Sequence, residues 1–249
     1  MCFSQLSAET LPFSEFKNIP GFYFSKALLN PPEYEGFHQL LLKLKPGFPE
    51  RFGTEVYAGI SFPNEVVAEE FERRLRGIVS TIPFFSNLLA LGVVVLRYGP
   101  SGSLPLHIDD PQKYGESVCT IGFGSAAILQ MQKNHPAQNI VERILLEPGS
   151  AYVMTGDARW SWLHGIEGGE DIPLTDGSTA KRANRFALLL TPPRPKFTGA
   201  LLLRHPHLPN GSALVFGQQG GVVIDHPSVV EVWDLNRVRS ELDNGTFPL

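Results

Sequence analysis

The sequence predicts a mainly β fold with flanking helices, of the sandwich or barrel kind found in jelly rolls. Its 249 residues include 24 glycines and 21 prolines, which is typical of a fold with many turns. Short apolar segments separated by turn-forming residues follow one another from residue 93 to residue 191. The clearest helical segments precede them, so we expect these helices to buttress one sheet from outside.

The first 90 residues predict a mixed region with two helices. A short strand or loop is expected at 16–24, and a helix at 33–44, which Pro46-Gly47 ends. Asn64 is the expected N-cap of a second helix, and Pro83 ends it. Apolar residues recur at the spacing of one helical face at Val67, Phe71, Leu75, Ile78 and Val79.

The central part of the chain predicts a series of short strands. They are expected at 93–98, 118–123, 126–131, 141–146, 151–154, 160–164 and 185–191. Turn-forming clusters separate them at 99–102, 124–125, 147–149 and 168–181.

The segment after residue 196 has a weaker pattern. It predicts a hairpin over 213–224 and a short helix at about 229–242. We therefore expect three parts: an N-terminal mixed region (1–90), a β core (91–195) and a C-terminal extension packed on that core (196–249).

Composition narrows the class of protein. The formal net charge of −4 disfavours tight, charge-driven binding of long nucleic acid, although it does not exclude a local basic patch. The two cysteines, Cys2 and Cys119, provide neither a disulfide framework nor a four-thiolate metal site. No apolar segment has the length of a membrane span, and no secretory signal is evident. We expect an intracellular monomer, cytoplasmic or nuclear.

His107-Ile108-Asp109 is the most informative motif. Residues two apart on a strand share a face, so His107 and Asp109 can bind one ion while Ile108 points away. With His164, which ends another strand-like segment, they supply two imidazoles and one carboxylate. This is the ligand set of non-heme Fe(II) oxygenases, whereas thiolates would favour zinc or an iron–sulfur cluster.

Structural roles are the alternative for these histidines. His107 could be a loop histidine and His164 a core histidine. However, His107 follows a glycine-rich segment at a strand end, whereas His135 lies in a polar loop. His205-Pro206-His207 could form a second metal site, but a structural role is favoured there.

Arg185 begins an apolar strand and needs a partner if it is buried. A dicarboxylic acid would supply one through the bidentate geometry that suits guanidinium and carboxylate. A structural salt bridge is the alternative. Strand alternation places Arg185, Ala187, Leu189 and Thr191 on one face.

Five segments together resemble the AlkB family of Fe(II)/2-oxoglutarate dioxygenases. The resemblance covers about residues 93–194 and is closest to the branch with the homologue that modifies tRNA wobble uridine. It implies a double-stranded β-helix (jelly-roll) core with Fe(II), 2-oxoglutarate and O₂ as cofactors. The matching segments are 97–100, 106–109, 155–160, 162–166 and 181–185.

The resemblance also implies roles for single residues. His107, Asp109 and His164 would be the catalytic iron ligands. Tyr98 would donate a hydrogen bond from its hydroxyl to 2-oxoglutarate, and Arg185 would bind the distal carboxylate.

Two further residues would face the substrate. Arg159 matches an arginine that lies beside the active site in the family. Trp160 could stack on a flat substrate, as could Trp162, for which core packing is equally expected.

The sequence departs from the family at two positions of the co-substrate pocket. Thr191, which we expect to line this pocket, stands where the family has a second arginine. Leu96 stands where the family has an asparagine. Either 2-oxoglutarate binds more weakly, or Arg182 or Arg194 compensates, or the co-substrate differs.

The resemblance favours oxidative demethylation or hydroxylation of a nucleic acid base or nucleoside, with methylated RNA or DNA as partner. The family's nucleotide-recognition lid would fall at about residues 50–90, where Arg51, Arg73, Arg74 and Arg76 give some basic character. A dioxygenase acting on a protein side chain or small metabolite is the first alternative. A jelly-roll binding protein without turnover is the second.

Overall fold

A computed structural model describes residues 13–44, 50–52, 54–85, 90–135, 140–169, 171–173, 177–194, 200–204, 212–218, 221–226 and 229–234. The helices in these residues are α1 (Pro31–Lys43), α2 (Glu65–Val79) and α3 (Gly156–Trp160). The strands are β1 (Ser14–Glu15), β2 (Phe22–Ser25), β3 (Glu50–Phe52), β4 (Thr54–Ala58), β5 (Ala90–His107), β6 (Val118–Gly124), β7 (Ala127–Lys133), β8 (Val141–Leu146), β9 (Ala151–Met154), β10 (Trp162–Ile166), β11 (Asp171–Pro173), β12 (Thr179–Lys181), β13 (Arg185–Thr191), β14 (Ala200–Arg204), β15 (Ser212–Gln218), β16 (Gly221–His226) and β17 (Val229–Asp234).

Most strands form two antiparallel groups that share β5. In addition, β4 pairs with β3 and with β5, and β11 and β12 form a separate two-stranded sheet. The larger group has the order β1-β2-β9-β6-β13-β5-β14-β15-β16-β17. The smaller group has the order β8-β7-β10, and β10 also pairs with the end of β5. The mainly β fold predicted from the sequence is confirmed.

Alternating side chains of β13 divide the core into two parts. Phe186, Leu188 and Leu190 pack in a cluster that includes residues of α1 and α2, among them Phe37 and Phe71. The helices therefore cover the outer face of the larger group, as predicted.

The other face of β13 packs between the two groups of strands. Ala187 and Leu189 belong to a second cluster, which includes Leu129 and Met131 of β7 and Trp162 of β10. This second cluster is the interior of the sandwich.

Both main helices begin at side-chain caps. Asn30 accepts a hydrogen bond from the Glu33 amide, and the Glu33 side chain accepts one from the Asn30 amide, which is a capping box. The predicted N-cap Asn64 accepts a hydrogen bond from the Val67 amide at 3.0 Å. The first helix starts two residues earlier than predicted, at Pro31. Proline is tolerated in the first turn because the amides there have no acceptor within the helix.

The turn predicted at 99–102 lies inside β5 as a bend instead of separating two strands. The pairing of β4 moves from Val56↔Tyr98 to Thr54↔Ser103, so β5 contains extra residues there. A Cβ on Gly102 would lie 3.0 Å from the Gly99 carbonyl oxygen, so the chain folds back closely on itself.

Three other predictions need correction. The strand predicted at 160–164 begins at Trp162, since Trp160 ends α3. The turn predicted at 168–181 includes the hairpin of β11 and β12. The helix predicted at 229–242 is wrong over Val229–Asp234, which pair with β16 as a strand, while 235–242 lie outside the described residues. No helix in the described part of the chain is long and apolar enough to cross a membrane.

Candidate active site

Two histidines and one aspartate converge where β5 meets β10. His107 ends β5 and is the direct pairing partner of His164 in β10. The Nε2 atom of His107 lies 3.5 Å from Asp109 Oδ1, and that of His164 lies 3.6 Å from Asp109 Oδ2. The three potential ligand atoms all lie within 4.8 Å of one another. The structure thus brings together the three residues predicted to bind iron.

Hydrogen bonding prepares this cluster for a cation. The Nδ1 atom of His107 lies 2.8 Å from the Pro105 carbonyl oxygen, so it carries a proton, and Nε2, which faces Asp109, is the atom that could bind a metal. Burial lowers the pKa of His164 to about 4, so its imidazole is neutral at pH 7. The buried Oδ2 atom of Asp109 has no hydrogen-bond partner among the described residues. A divalent metal ion would satisfy all three groups.

The charge of Asp109 is retained despite its burial. Burial alone raises the pKa of this carboxyl group, but the neighbouring His164, His107 and Arg159 together outweigh burial and hold the pKa below its ordinary value. Asp109 is 6% exposed, whereas the His107 side chain is 34% exposed. The cluster is therefore accessible from the His107 side.

Gly165 allows β10 to approach β5 closely beside His164. A Cβ on Gly165 would lie 2.5 Å from the Leu104 carbonyl oxygen. Gly165→Ala should therefore lower the free energy of unfolding by about 1–3 kcal/mol, measured by chemical denaturation. Gly77→Ala is the control, because Gly77 lies at an exposed position of α2 where a Cβ would meet no atom within 4 Å. This substitution should raise stability by about 0.5–1 kcal/mol. Unchanged stability of Gly165→Ala would contradict the close approach.

A second cluster of polar residues lies around Arg185, which is the direct pairing partner of Tyr98. Arg185 is 2% exposed; it donates through Nη1 to the Ser125 carbonyl at 2.8 Å, and its Nε has no partner among the described residues. The titratable groups that affect the pKa of Arg185 belong to Tyr98, Tyr152, Arg182 and Tyr34, and none of them is a carboxylate. The alternative of a structural salt bridge therefore finds no support in the described residues.

The space around Arg185 is shaped by a glycine. A Cβ on Gly122 would lie 2.2 Å from the Arg185 Nη2 atom, so this position in β6 leaves room for the guanidinium. Burial raises the pKa of Tyr98, which keeps its hydroxyl protonated and able to donate. Arg185 and Tyr98 thus offer donors to a carboxylate.

Arg182 and Arg194, considered as compensating cations, have other contacts. Arg182 donates to the carbonyls of Glu167, Gly169 and Gly102, and the last bond is 2.6 Å long. It therefore holds the bend in β5. Arg194 forms an ion pair with Glu116.

Thr191 lies at the other end of β13 from Arg185. Its hydroxyl accepts a hydrogen bond from the Gly115 amide and donates to the Ser117 carbonyl, each at 3.0 Å. A carboxylate needs a donor, so a co-substrate could use this proton only by displacing its bond to Ser117. The predicted contact with 2-oxoglutarate stays a prediction.

Arg159 and Trp160 pack against each other at the end of α3. The Arg159 guanidinium lies 4.1 Å from the centre of the Trp160 ring, and the indole nitrogen donates to Glu116 at 3.2 Å. Arg159 also donates to the Asp109 carbonyl at 3.2 Å. Stacking of Trp160 on a substrate stays a prediction and is limited to its other face.

Sequence reasoning missed the contributions of main-chain groups to this site. The Pro105 carbonyl, which orients His107, and Gly115, which contacts both Arg159 and Thr191, carry no chemical signal as residue types. The glycines near the ligands were the available signal, because they mark close approaches of the backbone.

Comparisons with known proteins agree with this geometry. The model of the 2OG-Fe(II) oxygenase superfamily matches residues 61–188. The mouse tRNA (carboxymethyluridine(34)-5-O)-methyltransferase ALKBH8 is 30% identical over 74 residues, which are 30% of this chain and 11% of that protein. The mouse mitochondrial alpha-ketoglutarate-dependent dioxygenase alkB homolog 7 is also 30% identical over 74 residues, which are 33% of its length.

The chain thus spans about a tenth to a third of the length of these two curated relatives. Among solved structures, OsALKBH1 superposes with a TM-score of 0.46 at 15% identity, over 72% of this chain and 99% of the other.

Proposed function

The chain belongs to the 2OG-Fe(II) oxygenase superfamily, and from this premise we propose that it oxidises a nucleic acid base or nucleoside by demethylation or hydroxylation. It is an Fe(II)- and 2-oxoglutarate-dependent dioxygenase with likeness to the AlkB family. The observation that carries the metal-dependent oxidation in this proposal is the buried, unpartnered Asp109 oxygen between two imidazoles.

We assign the protein's contributions as follows. His107, Asp109 and His164 would hold Fe(II), and Arg185 with Tyr98 would bind the distal carboxylate of 2-oxoglutarate. The bound cofactors supply oxidation of a substrate C–H bond, coupled to conversion of 2-oxoglutarate and O₂ to succinate and CO₂. The protein would orient these groups, and the substrate would approach from the side of His107, whose side chain is 34% exposed.

The likeness to AlkB homologues supports the choice of a nucleic acid substrate, and one of these relatives is by its name an enzyme of tRNA modification. A protein side chain or small metabolite is the second candidate. It is favoured by the net charge of −4 and by the pairing of arginines on α2 with their own helix: Arg73 and Arg74 contact Glu70, and Arg76 contacts Glu72.

An anaerobic titration followed by turnover tests the proposal. Fe(II) with 2-oxoglutarate should give a weak visible charge-transfer band, and addition of O₂ should release succinate. Single-stranded oligonucleotides with N-methylated bases should then stimulate succinate release, whereas unmethylated oligonucleotides of the same sequence should not. Stimulation by a peptide pool instead would favour the second candidate. Absence of both the band and succinate would contradict the oxygenase assignment.

A further inference from the structure

The segment that carries Asp109 lies outside the regular strands. Residues 108–117 connect β5 to β6 and begin with a turn, in which the amides of Lys113 and Tyr114 donate to the Asp110 carbonyl at 3.1 and 3.0 Å. Among the described residues, the β pairing of this segment is an isolated bridge between Tyr114 and Pro193. Strand pairing therefore does not fix the Asp109 carboxylate, and other contacts must do so.

Arg159 supplies contacts from one side. It is 1% exposed and donates three hydrogen bonds to main-chain carbonyls of this segment. The acceptors are Gly115 at 3.1 Å, Asp109 itself at 3.2 Å and Tyr114 at 3.4 Å. One guanidinium thus joins the carbonyl of the carboxylate-bearing residue to the far end of its loop.

Thr191 supplies contacts from the other side. It is fully buried, and its hydroxyl holds the Gly115 amide and the Ser117 carbonyl. Gly115 is therefore bound at its carbonyl by Arg159 and at its amide by Thr191. No side chain fits at this position, because a Cβ on Gly115 would lie 2.6 Å from the Pro192 carbonyl oxygen.

We propose that Arg159 and Thr191 are positioning residues that together form a clamp on Gly115 and hold the Asp109 carboxylate between His107 and His164. The clamp acts on metal retention, and neither residue needs to touch the substrate. This inference rests on the proposed metal site.

Metal binding measured without turnover tests the clamp. The dissociation constant of Fe(II) is obtained by anaerobic competition with a chelator, and the visible spectrum of the Co(II)-substituted protein reports the coordination geometry. Failure of the wild-type protein to bind either metal would overturn the proposed function and the clamp with it. The variants below distinguish failure of the clamp alone.

Thr191→Val removes the hydroxyl at nearly constant volume. We expect Fe(II) binding to weaken about ten-fold or more and the Co(II) spectrum to change, while Thr191→Ser keeps both close to wild type. Ser150→Ala is the matched control, because the buried Ser150 hydroxyl also donates to a main-chain carbonyl, that of Glu147 at 2.6 Å. This control should lower the thermal unfolding midpoint without changing metal affinity. Wild-type affinity in Thr191→Val would overturn the clamp and leave the proposed function intact.

Arg159→Lys tests the clamp independently, and it does so even if Thr191→Val does not fold. Lysine keeps the positive charge but cannot bind three carbonyls in the geometry of a guanidinium. We expect about a ten-fold loss of Fe(II) affinity in the folded variant. Unchanged affinity and an unchanged Co(II) spectrum would overturn the role of Arg159.

Discussion

Asp109→Asn is expected to raise the Fe(II) dissociation constant by more than about 100-fold and to abolish succinate release. Loss of a residue that only supports a ligand costs about 10- to 100-fold in metal affinity, so loss of the charged ligand itself should cost more. Asparagine has nearly the same size, but its neutral amide replaces the one negative charge among the three groups. Anaerobic Fe(II) titration and succinate quantification measure the effect.

The same substitution should leave the metal-free protein folded. Asparagine keeps a polar atom at the position of the unpartnered Oδ2 but loses the interactions with His164, His107 and Arg159 that hold the pKa of Asp109 below its ordinary value. A lowered carboxyl pKa stabilises the folded state at neutral pH, so we expect the thermal unfolding midpoint without metal to fall slightly while the protein stays folded. Asp110→Asn is the control, since Asp110 is exposed and asparagine keeps the side-chain acceptor for the Gln112 amide. Retention of wild-type Fe(II) affinity in Asp109→Asn would refute the metal site.

Arg185→Gln is expected to raise the KM for 2-oxoglutarate about 100-fold. This corresponds to about 2.8 kcal/mol at 1.4 kcal/mol for each factor of ten, within the range for loss of one partner of a buried charge pair. Because the carboxylate is bound equally in the ground and transition states, kcat at saturating 2-oxoglutarate should change much less. Steady-state succinate formation over a range of 2-oxoglutarate concentrations measures both constants.

Arg97→Gln is the matched control for Arg185. Arg97 lies next to Tyr98 in β5, but its guanidinium contacts the Leu44 carbonyl and the Phe186 ring on the helix side of the sheet. This variant should keep the KM for 2-oxoglutarate and the Fe(II) affinity of the wild type. An Arg185→Gln variant with an unchanged KM would assign the carboxylate contact to another residue while leaving the iron site in place.

Local patterns were sufficient to predict several features of this fold. The alternation in β13 predicted that Arg185, Ala187 and Leu189 share a face, and Ala187 and Leu189 do lie in the cluster between the strand groups. Asn64 correctly predicted the start of α2, because an N-cap depends only on residues three positions apart in the sequence. The convergence of His107 and Asp109 followed from their spacing, and His164 was chosen as the third ligand because it ends another strand-like segment, a choice that the family resemblance supported.

Other features depended on contacts that no local pattern contains. Trp160 ends a helix of five residues, which is too short to show helical periodicity. The strand at Val229–Asp234 was predicted as a helix because its partner, β16, provides hydrogen bonds that the sequence does not reveal. The contacts of Thr191 with Gly115 and Ser117 join residues more than seventy positions apart.

The bend within β5 has a consequence for the choice of co-substrate. Tyr98 and His107 are nine positions apart on β5, and a fully extended strand would separate them by about 30 Å. A five-carbon keto acid that reached from the Arg185–Tyr98 pair to a metal held by His107 would span a small part of that length. The fold at Gly99–Gly102, held by Arg182, would therefore set the distance between the two ends of the acid. The backbone of this bend, more than any single side chain, would decide how many methylene groups the acid can have.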